Sequence, residues 1–303
     1  MNYEIKTVKV RSSDNIHTLK GKIFIPEGEI KGIFHLVHGM TEHIDRYDGF
    51  FDEFAKRGYV CCGYDNLGHG KTAKNAEELG FIAHKKGYDY LMRDVKVFSD
   101  KIRKNYPNVP YILMGHSMGS FIVRGTAVNY VLDPDKLIIC GTGGPNIASG
   151  AGLLLTDIFK LLFGEKHISD IIDKTAFGTY NKRFDGTSPY NWLTKDSEAI
   201  KKYSKDDYCT FKFTVSAMHD LVKLNRIANS RKFFRELDPK IPVLIVSGDS
   251  DPVGNYGKGV KKVYNKLKKG RNVTLKLYKD GRHEIHNDTC KEEMIKDILE
   301  FID

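Results

Sequence analysis

Residues 110–115 form an apolar, strand-like run that ends in Gly115-His116-Ser117-Met118-Gly119, and a helix-like run over 121–130 follows directly. This layout demands a sharp strand-to-helix turn that pushes Ser117 above the edge of a sheet. Glycine stands two residues before and two residues after the serine. A Cβ at either place would collide with neighbouring backbone in so tight a turn. A strand that feeds a helix at its carboxyl end is also the repeating unit of a parallel sheet, so this one stretch restricts the fold class of the whole chain.

The flanking sequence repeats the unit. Residues 3–11 and 17–25 alternate apolar and polar and predict an antiparallel edge hairpin. Short apolar runs at 32–37, 59–64, 110–115 and 136–141 predict strands, separated by helical spacing at 50–56, 88–105 and from the serine turn to about 131. The alternation stops after Gly141-Thr142-Gly143-Gly144-Pro145. From 146 to 237 there are helical patches and loops but no buried strand, and the pattern resumes with a strand at 242–247, a helix at 255–268, a strand at 273–278 and a helix at 289–301. The expected organisation is a core of residues 1–145 and 238–303, with a helical cap at 146–237 inserted between two strands.

The 303 residues, 41% of them hydrophobic, suffice for one large α/β domain carrying an insertion. No apolar stretch reaches the roughly 18 residues of a membrane span. The start, Met1-Asn2-Tyr3-Glu4-Ile5-Lys6, alternates like a strand and lacks the apolar centre of a secretory signal, so a cytosolic location is expected. Five cysteines (Cys61, Cys62, Cys140, Cys209, Cys290) show no zinc-like spacing and are expected to be buried and reduced. The net charge of +9 includes a cluster at Lys258, Lys261, Lys262, Lys266, Lys268, Lys269 and Arg271. A solvated helix face explains it, with weak attraction to anionic lipid headgroups as the alternative. No nucleic-acid reader motif accompanies the charge, and nucleic acid is not an expected partner.

A serine hydroxyl needs a neighbouring base, and the base needs an orienting acid. Both should lie at the carboxyl ends of strands. After the strand at 242–247 come Asp249 and Asp251, and after the strand at 273–278 come His283 and His286. Asp251 and His283 are favoured. Asp249 follows the strand immediately and suits a turn-bracing role, and His286 stands near the start of the last helix, where packing is the commoner use. The expected catalytic set is therefore Ser117, Asp251 and His283. The backbone N–H groups of Met118, at the positive end of its helix, and of Met40, in the loop His38-Gly39-Met40, are the expected oxyanion donors.

These residues sit in longer motifs. The runs His38-Gly39-Met40-Thr41-Glu42-His43, Arg46-Tyr47, Gly58-Tyr59, Asp65-Asn66-Leu67-Gly68-His69-Gly70 and Gly115-His116-Ser117-Met118-Gly119 resemble the monoglyceride lipase and lysophospholipase branch of the α/β-hydrolases, also called the serine aminopeptidase-like branch. The resemblance spans almost the whole chain and is weakest in the insertion, where Thr210-Phe211 stand in place of the family's usual Gly-Phe. It implies an α/β-hydrolase fold: a mostly parallel eight-stranded sheet, helices on both faces and a helical cap. It also implies a serine ester hydrolase working through an acyl-enzyme on a small-headgroup ester such as monoacylglycerol or lysophospholipid, with no metal or organic cofactor. In that family His116 is structural. Glu42, His43 and Arg46 are expected to brace the oxyanion loop, and Asp65 and His69 to support it.

Within the cap, 150–163 is the most apolar piece, with apolar residues on more than one face. Leu154 and Ile158, with Gly39 and Trp192, are the candidate substrate contacts; packing of cap on core is the competing role for the helix and for Trp192. The same helix offers a transient membrane-surface contact. Other outcomes of the same side chains are a general short-chain carboxylesterase, an acyltransferase, an aminopeptidase, a haloperoxidase-like or carbon–carbon-bond hydrolase, and a non-enzymatic ligand receptor.

Overall fold

A computed structural model describes residues 2–303, so Met1 lies outside the description. Its frame is one eight-stranded sheet in the order β1-β2-β4-β3-β5-β6-β7-β8. β1 (Tyr3–Arg11) and β2 (Thr18–Pro26) form the antiparallel edge hairpin, and β2 also runs antiparallel to β4 (Tyr59–Tyr64). From β4 onward every pairing is parallel, through β3 (Gly32–Val37), β5 (Tyr111–His116), β6 (Lys136–Cys140), β7 (Val243–Gly248) and β8 (Val273–Tyr278). β3, β4, β5 and β7 are buried along their whole length. That is why they read as unbroken apolar runs rather than alternating ones.

Helices cover both faces. α1 (Asp48–Ala55) and α10 (Lys291–Ile302) close one face over Phe34, Leu36, Ile112 and Leu244. α2 (Gly87–Arg103), α3 (Met118–Asn129) and α9 (Lys258–Leu267) close the other over Ile33, Leu113, Ile139 and Ile245. These two sets of strand residues alternate in sequence and point to opposite sides of the sheet. α9 starts three residues later than its spacing suggests. Asn255, Tyr256 and Gly257 all have positive φ (49°, 53° and 77°), and this left-handed turn delays the helix until Lys258.

The block between β6 and β7 holds α4 (Ser149–Phe163), α5 (Asp170–Phe177), α6 (Ser197–Ser204), α7 (Val215–Ala228) and α8 (Arg231–Glu236). Its members are placed differently. α7 packs on α2, α3 and α4, and its Val215, Ala217, Leu224 and Ala228 join the main core. α4 rests on α7 and buries only Ser149 and Thr156. Leu161 is 86% exposed, and Leu154, Leu162 and Phe163 are each more than half exposed. All five cysteines are free; Cys61, Cys62, Cys140 and Cys209 are buried as expected, whereas Cys290 is only half-buried. No helix among the described residues is long and apolar enough to cross a membrane.

Candidate active site

β5 ends in the middle of the sheet, between β3 and β6, and Ser117 follows it at φ 52°, ψ −119°. Such a conformation costs an L-residue on the order of 1–3 kcal/mol. Hydrogen bonds hold it. Ser117 N–H donates to Cys140 C=O (3.0 Å), and Ser117 C=O accepts from Ser120 N–H (2.9 Å) and Ser120 Oγ–H (2.5 Å). The two flanking glycines are required by proximity. A Cβ on Gly115 would overlap the Gly119 carbonyl, and one on Gly119 would overlap the Val37 carbonyl.

The loops after β7 and β8 bring the acid and the base to this serine. They touch at Gly248, where a Cβ would overlap the backbone of Gly281 and Arg282. Asp251 is completely buried; its Oδ1 accepts Val253 N–H (2.8 Å) and its Oδ2 lies 3.0 Å from His283 Nδ1. His283 Nε2 lies 2.8 Å from Ser117 Oγ. A carboxylate only accepts, so the proton sits on Nδ1, and Nε2 is left to accept the serine hydroxyl proton. Asp249 and His286 do not enter this relay. Asp249 accepts Asp280 N–H (2.8 Å) and ties the two loops together. His286 is buried and stacked on Tyr47 at 4.6 Å between ring centroids.

A buried ionic network lies behind the relay. Glu42 accepts the Gly39 N–H, the Tyr47 hydroxyl, His116 Nδ1 (2.9 Å) and Arg46 (3.1 Å). Burial alone would raise the Glu42 carboxyl, but His116 and Arg46 overcome it and hold the group well below the usual carboxylate range. His116 is correspondingly raised: burial opposes its charge, and Glu42 restores it. Its other ring nitrogen lies 3.3 Å from the His283 carbonyl. Arg46 then makes a two-pronged pair with Glu284 (2.7 and 2.6 Å) and lies over the Tyr203 ring at 4.8 Å. Against the cost of burial, Arg46 brings the Glu284 carboxyl down to about 2. One guanidinium thus clips the loop carrying Met40 to the loop carrying His283. Replacing it, as in Arg46→Met, strands two buried carboxylates, and a loss of about 3–5 kcal/mol in urea unfolding is expected; a loss below about 1 kcal/mol would refute the clip.

Met40 and Met118 both line the cavity beside Ser117. Met118 is the first residue of α3, where a backbone N–H has no partner inside the helix. Gly39 lies beneath the serine rather than on the wall: a Cβ there would come within 2.8 Å of Ser117 Cβ. Leu154 and Ile158 are wall residues, as is Trp192, whose ring centroid is 5.1 Å from that of His283. The Trp192 segment is also stitched to the histidine loop. Trp192 C=O accepts His283 N–H (3.3 Å), Leu193 C=O accepts Glu284 N–H (2.7 Å), and Arg282 donates to the Asn191 and Thr194 carbonyls. His43 reaches the cap through Asp206 (2.9 Å). Asp65 accepts Ile44 N–H (2.8 Å) and Lys71 N–H (2.7 Å), bracing the neighbouring loop, and His69 packs edge-on against Phe211 and Phe213.

Glu284, Tyr203 and Arg282 escaped sequence reasoning because their partners lie far away in the chain and no local spacing signals them. Among the described residues, two groups bring potential metal-ligand atoms within 4.8 Å of each other inside the group: Glu42, His116 and His286 in one, and His43, Asp206 and Cys209 in the other. In the first, Glu42 and His116 are already paired and the Arg46 cation contacts Glu42, an arrangement that repels a metal ion.

The cavity above Ser117 has a volume of about 1640 Å³ and is walled largely by the cap. Residues 28–290 match the family model described as serine aminopeptidase, S33. The chain belongs to this family. It is a serine hydrolase with the α/β-hydrolase fold. It is 23% identical over 284 residues to a monoacylglycerol lipase of Mycolicibacterium smegmatis, covering 92% of this chain and 91% of that protein. It is 24% identical over 294 residues to an uncharacterized abhydrolase domain-containing protein of Dictyostelium discoideum, covering 94% of this chain but 28% of that longer one. Its structure superimposes on a thermostable carboxyl esterase from Bacillus coagulans, solved in complex with glycerol, with a TM-score of 0.92, 29% identity and coverage of 98% and 97%.

Proposed function

We propose that this hydrolase cleaves carboxylic esters that join a long acyl chain to a small headgroup, such as monoacylglycerol or lysophospholipid, through an acyl-enzyme on Ser117. The observation that carries the reading is the hydrogen-bonded Ser117–His283–Asp251 relay on the floor of a large cavity with apolar walls. His283 accepts the proton as Ser117 attacks the ester carbonyl, and Asp251 holds the imidazole and offsets its charge. The Met40 and Met118 N–H groups receive the oxyanion. His283 then protonates the leaving alcohol, and water repeats the sequence to release the acid.

Leu154, Leu155, Ile158, Ile172 and Phe177 form the acyl wall. Each methylene they bury contributes about 0.8 kcal/mol. The glycerol complex of the Bacillus coagulans esterase and the monoacylglycerol lipase relative support a small headgroup. Peptide substrates fit less well. A free amino terminus needs an available carboxylate, and the two that flank the relay, Glu42 and Glu284, are both engaged by Arg46.

The exposed last turn of α4, carrying Leu161, Leu162 and Phe163, is the surface for transient contact with a lipid bilayer. The lysine excess of the chain complements anionic headgroups. Five free thiols suit a reducing compartment such as the cytosol.

One hydrolysis series tests both proposals. For soluble esters, kcat/KM should rise by at least about tenfold from butyryl to decanoyl, and an optimum at two to four carbons would replace this reading with a general short-chain carboxylesterase. A Leu161→Glu, Leu162→Glu double variant should keep butyryl ester turnover but lose turnover of substrate presented in anionic vesicles. Equal loss on both, or on neither, would remove the membrane contact.

A further inference from the structure

Arg124 is the largest completely buried side chain among the described residues, and no described carboxylate pairs with it. It lies on α3, two turns beyond Ser117. Its guanidinium donates to Thr142 Oγ1 (3.1 Å), to the Ala228 carbonyl and to Asn229 Oδ1 (3.1 Å), and it lies 4.6 Å from the centroid of the Phe233 ring. Ala228 closes α7, so the guanidinium meets the negative end of a helix dipole. Burying an unpaired cation is costly, and burial pushes its pKa down to about 9. A chain that keeps such a residue beneath its nucleophile gains something by it, and the hydrogen bonds show where the charge is directed.

Thr142 Oγ1 accepts from Arg124 and lies 2.8 Å from Ser120 Oγ; with the single Ser120 hydroxyl proton committed to the Ser117 carbonyl, which can only accept, Thr142 is the donor of that contact. The Ser120 hydroxyl in turn donates to the Ser117 carbonyl at 2.5 Å. The cation orients both hydroxyls in one direction: Arg124 to Thr142, Thr142 to Ser120, Ser120 to Ser117 C=O. That carbonyl and the Met118 N–H are the two ends of one peptide group. Hydrogen bonds aligned in series polarise one another. Positive charge drawn toward the carbonyl oxygen makes the N–H at the other end a stronger donor.

We infer that Arg124 is a positioning residue that acts through Thr142 and Ser120 to fix and polarise the Ser117–Met118 peptide, strengthening its N–H as an oxyanion donor. The inference rests on the acyl-enzyme reading above and adds to it a polar relay outside the substrate cavity. It assigns a role to Thr142, in the loop after β6, and to Ser120, neither of which has a part in proton transfer.

The test uses the full chain with a soluble butyryl ester, after counting reactive sites with a fluorophosphonate. Thr142→Val keeps the side-chain shape and breaks the relay; Thr142→Ser keeps the hydroxyl. Strengthening of one donor by a fraction of its worth corresponds to about a fivefold effect. Thr142→Val is therefore expected to lower kcat per reactive site about fivefold with KM unchanged. It should weaken a trifluoromethyl ketone, which forms a tetrahedral adduct, by the same factor, while a non-reactive ether analogue binds as before. Thr142→Ser should restore both values. Arg124→Met should give the same pattern, and the double variant should be no worse than either single one, because both cut one relay. If Arg124→Met does not fold, Thr142→Val decides alone. Unchanged kcat in Thr142→Val, or equal weakening of both inhibitors, would overturn the role of Arg124. A wild-type protein that takes no fluorophosphonate label would end the acyl-enzyme reading itself, and the relay with it; labelling with unaltered kcat in the variant would end the relay only.

Discussion

Ser117→Ala is expected to lower kcat on any ester by about ten-thousand-fold or more and to abolish fluorophosphonate labelling, with urea unfolding essentially unchanged. The size follows from the chemistry: without the hydroxyl no acyl-enzyme forms, and only the cavity and oxyanion donors remain to assist direct attack by water. The small effect on stability follows from the structure. The Oγ atom makes one hydrogen bond, to His283, whereas the strained backbone is held by Cys140 and Ser120, which the substitution leaves in place. Alanine has the same steric cost at φ 52° as serine. Turnover and labelling should be measured on the same folded sample. Esterase activity within tenfold of wild type would break the assignment of the nucleophile.

Asp251→Asn should cost about a thousand- to ten-thousand-fold in kcat with little change in KM. The carboxylate can only accept, and so forces the His283 proton onto Nδ1. An asparagine can present its amide NH2 instead, which moves the proton to Nε2, where it can no longer accept from Ser117. Asp249→Asn is the matched control. That carboxylate accepts the Asp280 N–H and a hydroxyl from Ser250, so its loss should lower kcat by less than about tenfold through loosening of the loop. The pair of variants separates two aspartates that stand two residues apart. The reverse ranking, with Asp249→Asn the more damaging, would show that the relay is assembled differently in solution.

Much of the frame was legible from local pattern. Buried parallel strands appear as apolar runs, and the four that are buried along their whole length sit within a residue of their expected ends. The helix after β7 is a counter-example. Its lysine-rich spacing suggests a start at 255, but left-handed residues at 255–257 delay it, and periodicity does not report backbone handedness. The choice of Asp251 over Asp249 and of His283 over His286 was open in the sequence except for turn chemistry and resemblance. Packing decides it: the closeness of Gly248 to the Gly281 backbone brings the two loops together at one register, in which His283 faces Asp251 and His286 turns inward onto Tyr47. The cap was legible only as an absence of strands. That α7 belongs to the packed core while α4 stands half out in solvent depends on contacts with α2 and α3, which no window of sequence contains.

What the sequence by itself determined was the order of strands and helices, the elbow around Ser117 and a short set of acids and histidines at strand ends, because these depend on neighbours a few residues away. The tertiary structure alone decided that Arg46 joins Glu42 to Glu284, 238 residues downstream of Arg46, and that Arg124 is buried beneath the nucleophile with no described carboxylate paired to it. The physical reason is that the energy of a buried charge depends on everything packed around it in space, and that environment exists only once distant segments have met.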